Sequence, residues 1–449
     1  MNTKNNIAAQ APVKVVKFGG SSLADAEHFR MVQKIIESDP QRRYVVPSAP
    51  GKRFKEDDKV TDLLYQCYEV SDDPAELEKV FARVIDRYES IISGLSMDLD
   101  LSEEYEKIKN SILNHAGRDY AASRGEYLNG IILAKLLGFH FLDPARVIRF
   151  ADNGTFDGEL TNEMLGEKLR QHARAVIPGF YGSMPNGTVK TFSRGGSDIT
   201  GSIVARAAEA VIYENWTDVT GFLMADPRII DNPCTIETIT YRELRELSYM
   251  GATVLHEDAI FPVRFAGIPI NIRNTNEPEA AGTMIVPRAD FYDTKRIITG
   301  IAGKKGFSVI NIEKDMMNSE LGFGRRVLQA CEELGISFEH LPTGIDTMCV
   351  AIADHELDKK LNQLLNRISE LCQPDSIEVT RGLSLIATVG RGMVSARGTA
   401  AKIFTALYKA DVNIRMIDQG SSELNIIVGV ASADFEKATK AIYEAFVEE

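Results

Sequence analysis

The chain has little cysteine, and none of it sits in a motif. Cys67, Cys234, Cys331, Cys349 and Cys372 are scattered, odd in number and without any C-x-x-C spacing. This argues against a disulfide framework or a thiolate metal site and fits reduced thiols buried as small apolar residues. There is no H-E-x-x-H, because His256-Glu257 has no second histidine at the required distance. No metal ligand set is therefore expected. No apolar run reaches about 18 residues, so no membrane span is expected. The N-terminus is polar and lacks an apolar signal core, so a cytoplasmic chain is expected. Positive charge is in deficit, with 51 Lys and Arg against 64 Asp and Glu and a net charge of −13. A phosphodiester would be repelled, so no nucleic-acid partner is expected. A small anion still fits a pocket that carries its own cations. Neither G-x-x-x-x-G-K-[ST] nor G-x-G-x-x-G occurs, which removes the Walker loop and the dinucleotide fingerprint.

What is present is organised around residues 13–22, Val-Lys-Val-Val-Lys-Phe-Gly-Gly-Ser-Ser. The β-branched run predicts a strand, and Gly19-Gly20 permit a sharp turn with outward amides. Residues 24–37 then carry helical spacing in Phe29, Val32, Ile35 and Ile36. Lys17 thus stands where a strand hands over to a helix, a place that suits phosphate. A second strand, over 43–47, runs into a small-residue turn at Ser48. Residues 52–59 are heavily charged and read as an exposed, solvated loop. Thr61 is expected to cap the next helix. Residues 74–95 show a 3.6-residue apolar stripe, and helices are expected over 102–114 and 120–137, the last with Arg124-Gly125-Glu126 near its start.

Strands are expected over 139–142, 147–150, 175–180 and 188–192. The last enters Ser193-Arg194-Gly195-Gly196-Ser197-Asp198, a second glycine turn followed by a helix. A strand over 210–216 leads to Thr217-Asp218-Val219-Thr220-Gly221, and Ala225-Asp226-Pro227-Arg228 reads as a turn. Helices over 241–250 and 257–266 and a strand over 268–273 complete an alternation typical of an α/β domain with a largely parallel sheet, ending near residue 293. Beyond it a β-α-β-β-α unit appears twice, offset by roughly 75 residues, as ferredoxin-like modules. Their sheet edges favour dimerisation.

The turns at Lys17, Ser48 and Arg194 follow three strands, whose carboxyl ends share one rim in a parallel sheet. Together they offer Lys17, Ser48, Arg194, Ser197 and Asp198, a set suited to bringing two anions together. Arginine grips a carboxylate through two parallel N–H bonds, and lysine neutralises a moving phosphoryl group. Asp198 is placed to orient that lysine or to help hold Mg²⁺. No Ser/His/Asp or Cys/His set competes.

Four segments in order carry a resemblance: Lys17-Phe-Gly-Gly-Ser-Ser, Arg194-Gly-Gly-Ser-Asp, Thr217-Asp-Val-x-Gly221 and Ala225-Asp-Pro-Arg228. They resemble the signatures of aspartokinases in the amino-acid kinase family, and the C-terminal repeat resembles their paired ACT modules. The resemblance implies a disordered tail over 1–12 and an amino-acid kinase fold over 13–293, with a helical block about 74–137. A regulatory region over 294–449 would follow. Its first ACT module would cover about 307–380, and its second about 295–304 plus 383–449. The implied activity is ATP- and Mg²⁺-dependent phosphorylation of the side-chain carboxylate of L-aspartate, opening synthesis of lysine, methionine and threonine. Lys17 resembles the lysine that stabilises the transferring phosphoryl group and Asp198 the acid that organises it. Gly19, Gly20 and Ser21 would line the phosphates, and Thr217, Asp218 and Arg228 match nucleotide positions. Ser48 and Thr61 match substrate-contacting hydroxyls, Glu126 the partner of the substrate ammonium, and Phe180 an aromatic lining the aspartate site. Arg194, with Ser197 beside it, resembles the grip on the α-carboxylate.

Two positions depart from the family pattern. Gly251-Ala-Thr253-Val-Leu-His256 has threonine where relatives often carry a lysine near the ATP phosphates, and Leu223 replaces a tyrosine near the nucleotide. Lys52 is a candidate to compensate. In the first module Met317, Ser319, Phe323, Ser337, Glu339 and Thr343 fall where related ACT modules bind an amino-acid effector, with lysine the first expectation and threonine the second. A homodimer through the ACT modules, or a tetramer, is expected. Two rival readings are a kinase for another small acid and an inert kinase fold serving as an amino-acid sensor. Arg194→Ala is expected to cost about 1.5–3 kcal/mol of aspartate binding, the scale of a hydrogen bond to charge. An unchanged KM for aspartate rejects that assignment.

Overall fold

The run Lys14–Phe18 forms β1, buried along nearly its whole length because both of its neighbours are strands and both faces of the sheet are covered. The structure, a computed structural model, describes residues 12–193, 195–252, 257–288 and 296–447. Most of the expected N-terminal tail, Arg194 and Thr253 lie outside the described residues. Those residues fall into two units, one drawn from 1–222, 235–241 and 254–292, the other from 223–234, 242–253 and 293–449.

In the first unit β1 is followed by α1 (Ala26–Glu37), whose start is capped by Asp25 accepting from the Glu27 and His28 amides. Then come β2 (Arg42–Pro47), α2 (Val60–Glu69), α3 (Pro74–Gly94), α4 (Ser102–Leu113) and α5 (Arg118–Leu137). The apolar faces of α1 to α5 share one core with β1 and β2, including Phe29, Leu64, Phe81, Tyr88, Ile108 and Leu128. Short strands β3 (His140–Phe141) and β4 (Ala175–Val176) flank α6 (Gly158–Gln171). A hairpin, β5 (Tyr181–Ser183) and β6 (Val189–Thr191), precedes α7 (Gly196–Ala207) and β7 (Ile212–Thr217). The unit closes with β8 (Thr238–Thr240), α9 (Glu257–Ala266), β9 (Ile270–Asn274) and β10 (Thr283–Val286), whereas α8 (Tyr241–Tyr249) belongs, from Arg242 onward, to the second unit. The sheet order is β3-β4-β2-β1-β7-β9-β10-β8, parallel except for the β9–β10 pair.

Several local expectations change. Residues 147–150 make only isolated bridges, Arg149 to Ser183 and Phe150 to Phe156. The stretch 175–180 keeps sheet hydrogen bonds to Val45 and Pro47 and then leaves at Phe180, whose φ is +82°. β6 consequently pairs antiparallel with β5 in a separate sheet, so the strand expected over 188–192 is not part of the main sheet. Thr61 is not a cap: Lys59 holds that position in extended backbone, and Thr61 lies inside α2.

The second unit holds a five-stranded antiparallel sheet, order β12-β11-β13-β15-β14, with β11 (Gly300–Glu313), β12 (Thr347–Ala353), β13 (Ser376–Val389), β14 (Ile414–Asp418) and β15 (Asn425–Ala431). β11 and β13 are long enough to serve both modules. Their register breaks near Gly306, whose φ of +90° lets one strand bend between two half-sheets. Residues 336–340 make a bridge from His340 to Ala351 and no regular strand. The chain then forms two helical pieces, Asp354–Leu357 and Leu361–Cys372, separated at Lys359, where φ is +62°.

The charged loop over 52–59 is not wholly solvated. Asp57 is 7% exposed and accepts from Arg53 and, at 2.5 Å, from Arg87. Arg87 also donates to the Gly51 carbonyl at 2.9 Å. Gly51 in turn packs on Gly20 so tightly that a Cβ on it would stand 2.6 Å from the Gly20 carbonyl carbon. Glycine is needed there for space, since Gly20 has an ordinary φ of −62°. The hydrogen bond from Arg53, against the opposing effect of burial and with help from the Arg87 charge, holds the Asp57 carboxyl far below the usual range. Its contribution is therefore present above the unfolded pKa of about 3.9 and lost as pH falls toward the folded value. Asp57→Asn is expected to cost about 3–5 kcal/mol at pH 7, because it leaves Arg87 buried without its anion. Chemical denaturation checks this: the gap to wild type should narrow below about pH 4, and a gap constant from pH 7 to 3 contradicts the assignment.

Candidate functional site

β1 and β7 run parallel in register, with Lys17 opposite Asn215. Side chains on one face of adjacent strands stand side by side, and α7 brings Asp198 over them from its first turn. Lys17, 7% exposed, places Nζ 2.6 Å from Asp198 Oδ1 and donates to Asn215 Oδ1 at 3.3 Å. Asn215 Nδ2 closes the ring by donating to Asp198 Oδ1 at 2.9 Å. An ammonium has three N–H donors. Two are engaged within this ring, and the group borders an open cleft.

That cleft, about 1260 Å³, is lined by Lys17, Ser48, Thr61, Glu126, Phe180, Ser197 and Asp198 among others. Seven expected residues from six segments thus meet in one place. Ser48 is fixed through its backbone, its N–H donating to Phe18 O at 3.0 Å and its carbonyl accepting from Asn129 at 2.6 Å. Phe180 is held in its left-handed conformation by its N–H on Thr200 Oγ1 and its carbonyl under the Phe192 amide. Such a conformation costs a side-chain-bearing residue on the order of 1–3 kcal/mol. Gly179 leaves room for Ser197, and Gly196 for the Phe180 ring.

Glu126 is 5% exposed, and its Oε2 has no hydrogen-bond partner. Burial pushes its carboxyl up to about 8, against the opposing pull of the Ala49 amide. It is a buried acid beside a cleft, not a solvated helix charge.

Gly19 adjoins the ring, since a Cβ on it would lie 3.6 Å from Lys17 Nζ, and its N–H donates to Trp216 O at 3.0 Å. Gly20 and Ser21 continue that turn. Thr217 ends β7 on the same rim, with its hydroxyl on Asp218 at 3.1 Å. Arg228 lies in the second unit, exposed and paired with Asp226 at 2.6 Å. Leu223 belongs to that unit too.

Sequence reading missed the other cations of the cleft, Lys59, Arg118 and Lys190. Arg118 lies over the Tyr65 ring at 4.0 Å, and Lys190 is 3.2 Å from Asp119. Lys190 was findable, since it lies two residues from Phe192 and strand alternation puts both on one face. Lys52, the suggested compensating cation, instead donates to the Lys55 carbonyl at 3.3 Å.

Among the expected effector residues, Met317 and Phe323 are buried in the core of the first module beside Ile312, Val327 and Val350. Ser319 bonds Asn318, Thr343 bonds the Leu341 carbonyl, and the Ser337 amide reaches Glu356 at 3.4 Å. Glu339 accepts from the hydroxyl of Tyr249 at the end of α8.

Among the described residues, no helix is long and apolar enough to cross a membrane, and no group of three or more His, Cys, Asp or Glu is arranged to hold a metal. The five cysteines are free.

Residues 12–274 match the amino acid kinase family, and residues 386–446 match the ACT domain. Aspartokinase 3 of Bacillus subtilis (strain 168) is 39% identical over 97% of this chain and 98% of its own. A crystal structure of Clostridium acetobutylicum aspartate kinase is similar with 56% identity and a TM-score of 0.91, covering 97% of this chain and all of that one. Two structures of E. coli aspartokinase III, one with aspartate and ADP and one with lysine and aspartate, are 25% identical with TM-scores of 0.72 and 0.71, each over 97% of this chain and 100% of their own. On this family match, full-length likeness and shared fold, the chain belongs to the aspartokinases of the amino acid kinase family.

Proposed function

We propose that the chain transfers the γ-phosphoryl group of Mg·ATP to the side-chain carboxylate of L-aspartate, giving 4-phospho-L-aspartate and ADP. The observation that carries this reading is the Lys17–Asp198–Asn215 ring, with Lys17 and Asn215 buried, in a cleft lined by Lys17, Asp198, Ser48, Thr61, Glu126 and Ser197. In this account a carboxylate oxygen of aspartate forms the new bond to phosphorus as the bond to the ADP oxygen breaks, with no covalent enzyme intermediate. Catalysis is positioning and charge neutralisation. Lys17 supplies positive charge where the phosphoryl group moves, and Asp198 keeps its ammonium aimed. Gly19, Gly20, Ser21, Thr217 and Asp218 border the nucleotide. Lys59, Arg118 and Lys190 give the cleft the local cations that two anionic substrates need in an acidic protein. Mg²⁺ is carried by the nucleotide and takes one or two carboxylates from the protein, a role open to Asp198. Arg194 grips the α-carboxylate, Ser197 assists it, and Phe180 walls the aspartate site.

The catalytic region is assigned to 13–293 and the regulatory region to 294–449. The reaction opens synthesis of lysine, methionine and threonine in the cytoplasm, within a homodimer joined through its ACT modules. Lysine is the first candidate effector and threonine the second. An effector ammonium that pairs with Glu339 competes with the Tyr249 hydroxyl for that carboxylate, which gives occupancy of the first module a route to α8.

Two measurements test this reading. Lys17→Ala is expected to lower kcat by about 10²–10³, the range for removing one group aimed at transition-state charge. Wild-type turnover in that variant overturns the assignment. Glu126 begins near 8 in the ligand-free cleft, and a substrate ammonium would draw its pKa down. Aspartate binding should therefore release a proton near pH 7 and tighten as pH rises from 6 to 8, and Glu126→Gln should lose both effects. Calorimetry in buffers of different ionisation enthalpy reads the proton count; equal release by wild type and Glu126→Gln removes Glu126 from the aspartate site.

A further inference from the structure

Asn215 is 4% exposed at the centre of the main sheet, a place where an amide is costly unless both of its ends are used. Here both ends are used, and both face the same ion pair. Oδ1 accepts from Lys17 Nζ at 3.3 Å, and Nδ2 donates to Asp198 Oδ1 at 2.9 Å. The strand residues on either side point elsewhere. Glu214 pairs with Arg42 and accepts from the Trp216 indole, and Trp216 stacks on Phe18.

We propose that Asn215 is a positioning residue for phosphoryl transfer, acting through Lys17 and Asp198; this rests on the reading of that pair given above. The amide has three effects that an apolar residue of the same shape lacks. It takes up a second N–H of the Lys17 ammonium, which fixes the direction of the third. It engages the Asp198 oxygen that already holds Lys17, so the carboxylate cannot rotate away without losing two partners. It does both without charge, leaving the lysine opposed by one carboxylate only. A second anion there would drain the positive charge that the moving phosphoryl group needs. The parallel register that sets Asn215 against Lys17 makes the arrangement rigid, because neither strand can slip without moving every buried neighbour.

The test compares Asn215→Leu, Asn215→Asp, Lys17→Ala, Asp198→Ala and the double variant Asn215→Leu/Asp198→Ala in full-length enzyme. Turnover, KM for aspartate and for Mg·ATP, and thermal midpoint are measured for each. Asn215→Leu is expected to lower kcat about tenfold with both KM values within about twofold of wild type, the pattern of an interaction used mainly in the transition state. Asn215→Asp keeps the shape and the acceptor for Lys17 but loses the donor to Asp198, and should also lose kcat. In the Asp198→Ala background the leucine substitution should cost less than twofold, because the group it acts through is gone. A purely structural residue would lower the thermal midpoint and cost the same in both backgrounds. Asn215→Leu at wild-type kcat, or an equal loss with and without Asp198, overturns the proposal. If Lys17→Ala also turns over at the wild-type rate, the phosphoryl-transfer reading falls with it; if Lys17→Ala is inactive, only the role of Asn215 falls.

Discussion

The organisation of the first unit depends on one ion pair, buried Lys17 with half-buried Asp198, which joins the central strand to the start of α7. A lysine so little exposed is tolerated because its charge is met by a carboxylate and an amide at once. The pair fixes where α7 begins relative to β1. Through Gly195-Gly196-Ser197 it also fixes the turn against which Phe180 and Gly179 pack. Around it the other loops are tied by backbone contact, with Gly20 against Gly51 and Gly51 against Arg87. The cleft is a consequence of these ties: several chain segments are held at one rim, and the space between them is left to ligands.

Cleft electrostatics follow from the same packing. The protein as a whole is acidic, yet four of the side chains lining the cleft are cationic: Lys17, Lys59, Arg118 and Lys190. Against them stand Asp62 and Asp198, and Glu126, whose burial pushes it toward its neutral form. The local balance is therefore opposite to the global one, and this lets anionic substrates enter a negatively charged protein. Buried carboxylates elsewhere serve stability. Asp57 holds the loop between Ser48 and Thr61 in place, and in the second unit Glu243 accepts from Arg391 and Thr299.

Much of this was legible in the sequence because it is local. The β-branched run before Gly19-Gly20 and the apolar stripe of α3 follow from spacing and side-chain chemistry. Lys17, Ser48, Ser197 and Asp198 are legible because they sit at or beside glycine or small-residue turns. What was not legible depends on partners distant in the chain. Nothing near Asn215 announces that its strand lies beside β1 in a register that meets Lys17. The hairpin of β5 and β6 was taken for part of the main sheet, because the positive φ that diverts the chain falls on Phe180, a residue type that rarely adopts it. Asp57 reads as solvated among six charged neighbours, and only the approach of Arg87 from α3 buries it. Arg228 shares with Thr217 and Asp218 only the nucleotide assignment that the resemblance implies, and lies in the other unit.

The account is tested most directly by a crystal structure of the enzyme with Mg·ADP, L-aspartate and a planar fluoride mimic of the phosphoryl group in flight. It predicts Lys17 Nζ within hydrogen-bond distance of the mimic, Asp198 and Asn215 still bonded behind it, and the aspartate ammonium at Glu126. A mimic bound out of reach of Lys17, with that ammonium paired elsewhere, contradicts it.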